Sequence, residues 1–350
     1  MKASLLILFL FAALSVSAQT VYNRGDLAVI NELIANNGLQ WTKANLGDLN
    51  QVPADWKGVV WSDDDTDKRI VRLILQGATL TDDQDLVEGV LTGQCHLSKL
   101  TALQHLDCSL NKLTSLRISD MPHLQTLRCN DNELTTLHLS GCTNLQILSC
   151  NDNRLSSLDV SALAGLHTLY CGWNSLTSLD VSSLTQLFSL SCSNNNLSSL
   201  HVAGCISLQA LSCIGNKLTS LDVSECTNLM ELNCMDNQLT TLNVSACTNL
   251  GTLWCQNNRL IMLDLTALDS GLHFYGQGQT RHLTLTGNGH KYTTPIVFAH
   301  GATFDHTALT YRDGILESAS NAAKTSGFVS PTGLPNTNLS GTLTLDYKND

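Results

Sequence analysis

The sequence predicts a solenoid built of short stacked coils, with a parallel β-sheet on one face. Three observations carry this prediction. Cys108, Cys129, Cys150, Cys171, Cys192, Cys213, Cys234 and Cys255 recur every 21 residues. A leucine stands two residues before each cysteine, from Leu106 to Leu253, and an asparagine three after it: Asn111, Asn132, Asn153, Asn174, Asn195, Asn216, Asn237 and Asn258. A second apolar pair follows in each coil, from Leu116/Ile118 to Leu263/Leu265. A fixed period of this kind marks a repeat architecture, in which a coil buries its apolar face only against its neighbours.

The chemistry of one coil follows from the pattern. Leucine and cysteine alternate with polar positions, so both point to one side of a short strand. Stacked at a strand spacing of about 4.8 Å, the coils from Cys108 to Cys255 extend about 40 Å. Cysteine acts there as a small hydrophobe. The asparagines are expected to turn inward and bond backbone groups of the tight turn, because an amide supplies both donors and an acceptor. The second apolar pair predicts a further short extended segment on the outer side. A second inward column holds Met121, Cys142, Leu163, Leu184, Cys205, Cys226, Cys247 and Leu268. The exchange of Cys, Leu and Met at one position points to packing rather than metal chemistry.

The copy at 124–144 reads LQTLRCNDNELTTLHLSGCTN, with the core L-x-x-L-x-C-x-x-N-x-L. This resembles the leucine-rich repeat, with cysteine at the second strand leucine, and most resembles the bacterial cysteine-ladder repeats of the internalin J-like type. The resemblance covers about residues 70–270. It implies a leucine-rich repeat solenoid, a right-handed horseshoe or superhelix. A parallel β-sheet would form the concave face, short extended or 3-10 segments the convex face, a helix the N-terminal cap and a small β unit the C-terminal end. It also implies a binding role, on a fold that serves many binding tasks.

Taken in order, residues 1–18 carry Lys2, an apolar run and a small-residue end at Ser17-Ala18. They read as a secretory signal peptide cut before Gln19, with a retained membrane anchor as the alternative. The protein is then exported: secreted, at the cell surface or in the periplasm. The formal net charge is −11, and loss of Lys2 makes it more negative. That argues against nucleic acid and anionic membrane surfaces as partners. No membrane insertion is expected after cleavage, and no other run is long enough to span a bilayer.

Residues 19–72 are the expected N-terminal cap. The stretch 26–38, DLAVINELIANNG, reads as an amphipathic helix with Asp26 as N-cap and Gly38 at its end. The order W-x-G-V-x-W ending at Trp61, then an acidic turn and RIVRLIL, resembles the N-terminal cap of leucine-rich repeat proteins. Asp63, Asp64, Asp65 and Asp67 hint at calcium. Lys68 and Ile74, however, replace the glycine and distal glutamate of an EF-type loop, so a solvated turn is the reading.

Residues 73–271 are the array, regular from about 103 to 270. The stretch 73–80 reads as an irregular first coil and 81–102 as an off-phase insertion. Cysteines of an exported chain usually pair, but side chains held in register along a parallel sheet cannot bridge without distorting it. The ladder therefore reads as buried free thiols, with Cys95 outside both columns. No C-x-x-C spacing is present, so a zinc site is not expected; no other metal and no cofactor is assigned.

Function in such an array is expected on the solvent-facing strand positions of the concave sheet. The candidate ligand-binding residues there are Arg128, Tyr170, Trp173, Ile214, Glu231, Met235 and Trp254. Large aromatics with no packing duty anchor interfaces and stack on sugars. Tyr170 and Trp254 lie four coils apart, about 19 Å. Residues 272–350 read as strands in RHLTLTG, TPIVFAH and GTLTLDY, forming a small β cap or β unit. The histidines there (His273, His282, His290, His300 and His306) match no ligand spacing.

No nucleophile elbow, H-E-x-x-H or phosphate loop occurs, so no catalytic residue is assigned and the chain does not read as an enzyme. The expectation is a non-catalytic, adhesin-like binding protein that recognises a protein or glycan on the concave face. The alternative is a structural or assembly component of the bacterial cell envelope acting through protein–protein contacts.

Overall fold

The structure is a computed structural model that describes residues 20–76, 91–260, 263–264, 267–268, 273–288, 291–293, 310–312, 315–317, 323–329 and 339–347. The leader at 1–18, residues 77–90 of the first coil and the TPIVFAH stretch lie outside these residues.

The chain forms a leucine-rich repeat solenoid with a cysteine ladder. Strands Ile70–Ile74, His105–Asp107, Thr126–Arg128, Ile147–Ser149, Thr168–Tyr170, Ser189–Ser191, Ala210–Ser212, Glu231–Asn233 and Thr252–Trp254 pair in parallel, each with the next. The column continues one coil past the last cysteine: Thr252, Leu253 and Trp254 pair with His273, Phe274 and Tyr275. Val59–Trp61 closes the N-terminal edge antiparallel to Ile70–Ile74.

Every ladder leucine and cysteine is buried. All thirteen cysteines are free and buried. Full burial of a leucine is worth about 1.5–3 kcal/mol, and the columns pool that contribution along one continuous core.

The asparagine column joins coil to coil. Asn174 donates through Nδ2 to the carbonyls of Cys171 and Gly172 in its own turn, at 3.2 and 3.1 Å, and to Cys150 in the preceding coil at 2.9 Å. Its Oδ1 accepts from the Leu155 N–H at 2.9 Å. Asn132, Asn195, Asn216, Asn237 and Asn258 repeat this set.

The second extended segment is also present. Lys112–Ser119 pairs with Thr136–Ser140, Ser178–Asp180 with Ser199–His201, and Leu242–Asn243 with Leu263–Asp264. Here the phase of the first coil departs from the sequence expectation. Thr92–Ser98 is a strand of this outer sheet, with Cys95 opposite Leu116 and Leu97 opposite Ile118. Cys95 therefore sits inside a column, 21 residues ahead of Leu116, and 92–102 is not an insertion. On the inner sheet Ile74 pairs with Asp107. The extra length of this coil thus falls between the inner strand and Thr92.

The cap helix α1 spans Arg24–Asn36, two residues earlier than expected. Asn23 is its N-cap, accepting from the N–H groups of Gly25 and Asp26. Asp26 is instead fully buried. It accepts from Arg69 Nε and Nη2 at 3.0 and 2.9 Å and from the Ile70 N–H at 2.8 Å, fastening the helix to the first inner strand. Gly38, at φ +77°, ends the helix. Trp41 stacks on Trp56 with ring centroids 6.1 Å apart, and Trp56 Nε1 donates to the Thr42 carbonyl. Together these cover the open end of the core.

At the other end, His273–Asn288 runs on from the last parallel strand and pairs antiparallel with Leu339–Tyr347, which pairs with Ala323–Val329. The strands expected in RHLTLTG and GTLTLDY fall on these elements.

Candidate functional site

The inner sheet, expected to be the concave face, carries outward side chains before, between and after the buried leucine and cysteine of each strand, because alternate residues face opposite ways. At its N-terminal end two adjoining open depressions, of about 260 and 330 Å³, share Asp107, Arg128 and Ile147. Arg72 and His105 line the first; Gln76, Asn130 and Tyr170 line the second. Two candidates from the sequence, Arg128 and Tyr170, thus share a wall of one depression. Arg72 was not among them, because it stands before the first regular coil.

Trp173 follows in the same coil as Tyr170, at the turn where the strand ends. It is 61% exposed and has φ +52°. The same turn position is left-handed in every coil: Asp131, Asp152, Asn194, Gly215, Asp236 and Asn257 have φ between +54° and +65°. Those residue types tolerate this region; a bulky side chain costs roughly 1–2 kcal/mol there. Trp173 and Leu110 are the exceptions. Gly172, just before, is buried, and its N–H donates to Asn151 Oδ1 at 2.7 Å.

A second aromatic station stands four coils on. Trp254 stacks on Tyr275 with ring centroids 6.0 Å apart and planes within 6°. The stack leaves Trp254 half-buried and Tyr275 41% exposed. In the same coil as Trp254, Gln256 Oε1 is shielded from solvent without a hydrogen-bond partner. Glu231 is exposed, while Ile214 and Met235 are half-buried, on the two coils before this station. Between the stations the floor is Ser191, Ser193, Ser212 and Asn233, and Ser193 Oγ lies 2.9 Å from Ser212 Oγ.

Sequence reasoning missed Tyr275, whose coil lacks the cysteine. It also missed Phe188, Ile206 and Met230, all exposed just ahead of the concave strands. Their columns could have shown them: Phe188 and Met230 replace glutamine at positions held by Gln104, Gln125, Gln146 and Gln209, and Ile206 replaces threonine.

The thiols are buried away from solvent. Burial pushes the thiols of Cys150 and Cys213 up to about 12, and that of Cys142 to about 11. Among the described residues no group of His, Cys, Asp or Glu converges to hold a metal ion. The aspartates of the acidic turn bond within the cap: Asp64 with Thr66, Asp65 with Lys68 at 3.0 Å, Asp67 with Asn23 at 2.9 Å. No described helix is long and apolar enough to cross a membrane.

No known family model and no curated protein matches the sequence. Among solved structures the chain is similar to the functional domain of InlJ from Listeria monocytogenes, which includes a cysteine ladder. The two are 27% identical over 74% of this chain and 67% of that one, with a TM-score of 0.44. It is also similar to a leucine-rich repeat protein of Leptospira interrogans (21% identity, 53% and 67% covered, TM-score 0.40). A third similarity is to YopM from Yersinia enterocolitica (22% identity, 54% and 50% covered, TM-score 0.40).

Proposed function

We propose that this chain is an exported, non-catalytic binding protein of a bacterial cell, adhesin-like, which recognises a protein or glycan on the concave face of its array. Arg128, Tyr170, Trp173, Ile214, Glu231, Met235 and Trp254 are its contact residues.

The observation that carries this reading is Trp173. A large aromatic that is 61% exposed contributes little packing, yet it holds a left-handed backbone position that neighbouring coils give to Asp, Asn or Gly. Leu110 shares the left-handed backbone but is half-buried; at Trp173 strain and exposure coincide, the combination that marks a side chain with a task. Tyr170, 38% exposed in the same coil, extends the surface, and exposed aromatics of this type anchor recognition.

The test is binding of residues 19–350 to immobilised matrix proteins, mucins and polysaccharides, beside a folded Tyr170→Ser, Trp173→Ser, Trp254→Ser variant. A ligand held by the parent and lost by the variant supports the reading. A ligand held equally by both removes the site from the concave face.

A second reading, a structural or assembly component of the cell envelope, has one observation in its favour. Phe188, Ile206 and Met230 are 47–53% exposed and lie ahead of the inner strands rather than in them. Copurification with envelope proteins that is lost on Phe188→Ser and Met230→Ser, and kept in the concave-face variant, would favour it.

A further inference from the structure

Resting on the binding reading above, we infer that the ligand class is a linear glycan, laid across the strands along the axis of the array. Tyr170 with Trp173 would hold it at one end and Trp254 with Tyr275 at the other.

Three features favour a sugar chain over a peptide. The inner strands are paired with a neighbour on each side along the array, from His105–Asp107 to Thr252–Trp254. Their backbone groups are therefore committed, and an extended peptide finds no free edge to pair with, which is the usual way a sheet takes a strand. The depressions at the N-terminal end are open and lined by Arg72, His105, Asp107, Arg128, Asn130 and Tyr170. None is an enclosed apolar pocket of the kind that anchors a peptide side chain. The path between the stations is floored by Ser191, Ser193, Ser212 and Asn233, half-buried or buried hydroxyls and an amide. Such groups both donate and accept, as ring hydroxyls do.

Spacing agrees with this. One unit of an extended glycan repeats at about 5 Å, close to the ~4.8 Å step between strands, so successive sugars meet equivalent coils. The stations, four coils or about 19 Å apart, are bridged by a chain of about five units. Aromatic faces suit the apolar face of a sugar ring, and Tyr and Trp present an apolar body with a polar tip.

The experiment uses the mature chain and oligosaccharide series from disaccharide to octasaccharide. The series are β-linked glucose, β-linked N-acetylglucosamine and β-linked uronate, measured by calorimetry. Variants Tyr170→Ala and Trp254→Ala, shown folded by circular dichroism, run beside the parent. The expected result is a series whose affinity rises at least roughly tenfold up to about five units and then levels, as two linked sites require. Each variant is expected to lose that rise while still binding the short members. Binding that ignores length, or a rise that both variants keep, overturns the linear-chain inference. No oligosaccharide binding, with a protein ligand that the triple serine variant loses, overturns the glycan class and leaves the concave-face reading standing. No ligand of either kind overturns both.

Discussion

The Asn174 amide reaches across a coil boundary to the Cys150 carbonyl at 2.9 Å, while its oxygen takes the Leu155 N–H at 2.9 Å. One side chain thereby satisfies backbone groups of two coils in a buried turn. A solenoid is held by such nearest-neighbour terms. Asn174→Ala is expected to destabilise the array by at least about 2 kcal/mol, since buried groups left unmade cost roughly 1–3 kcal/mol each. Urea unfolding of the variant checks this; a loss under about 0.5 kcal/mol, the range of an ordinary surface change, would deny the asparagine its structural role.

Asp26 binds the cap to the array through Arg69 and the Ile70 N–H. Asp26 is fully buried, whereas Arg69 keeps part of its surface in water. Asp26→Ala is expected to cost about 3 kcal/mol, at the low end for a broken buried pair because the freed guanidinium reaches solvent. Hydrogen exchange should show the loss first in Arg24–Asn36 and Ile70–Ile74. Uniform loss across all coils would contradict a local fastening.

The buried thiols make the protein sensitive to alkali. Burial raises Cys150 and Cys213 to about 12 and Cys205 and Cys247 to about 11, against 9.0 for a free thiol. Their folded values exceed the unfolded ones, so the native state keeps protons that the unfolded chain gives up. Stability is thus whole below about pH 9 and falls as pH rises toward 12, by up to about 1.4 kcal/mol per pH unit for each thiol. Denaturant midpoints from pH 7 to 11 check the sign. In the same samples native thiols should resist a disulfide reagent at pH 8 and react once unfolded; fast reaction of the native protein would contradict their burial.

Much of the architecture was legible in the sequence, because periodicity fixes which residues face inward regardless of detail. The leucine, cysteine and asparagine columns, the outer segment and the cap helix all follow from spacing. What escaped was set by tertiary partners. Asp26 looks like a helix cap until Arg69 draws it into the core, and Asn23 takes the capping role. Cys95 looks out of phase when counted against Cys108, but it is in phase with Leu116 on the outer sheet. The last coil lost its cysteine and asparagine yet kept its strand, with Phe274 opposite Leu253. At the candidate site, Tyr170 and Trp173 were visible as odd residues in polar columns. The strain at Trp173 was implicit in the same column, where Asp, Asn and Gly dominate.

Leu110 is the control for that strain. It has φ +58° at the equivalent turn, three coils from the nearer aromatic station. Leu110→Asn is expected to raise stability by about 1 kcal/mol, the relief of a bulky residue from the left-handed region, and to leave ligand binding unchanged. A thermal scan and a binding titration read both.

The most direct measurement is the paired unfolding midpoint and ligand affinity of Trp173→Asn, the residue that Asn194 and Asn257 place at this turn. The expected result is opposite signs: stability up by about 1 kcal/mol and affinity down at least roughly tenfold, as for the loss of a hot-spot aromatic. A variant that is more stable and binds as tightly as the parent would contradict a ligand-binding role for Trp173, and with it the concave-face site.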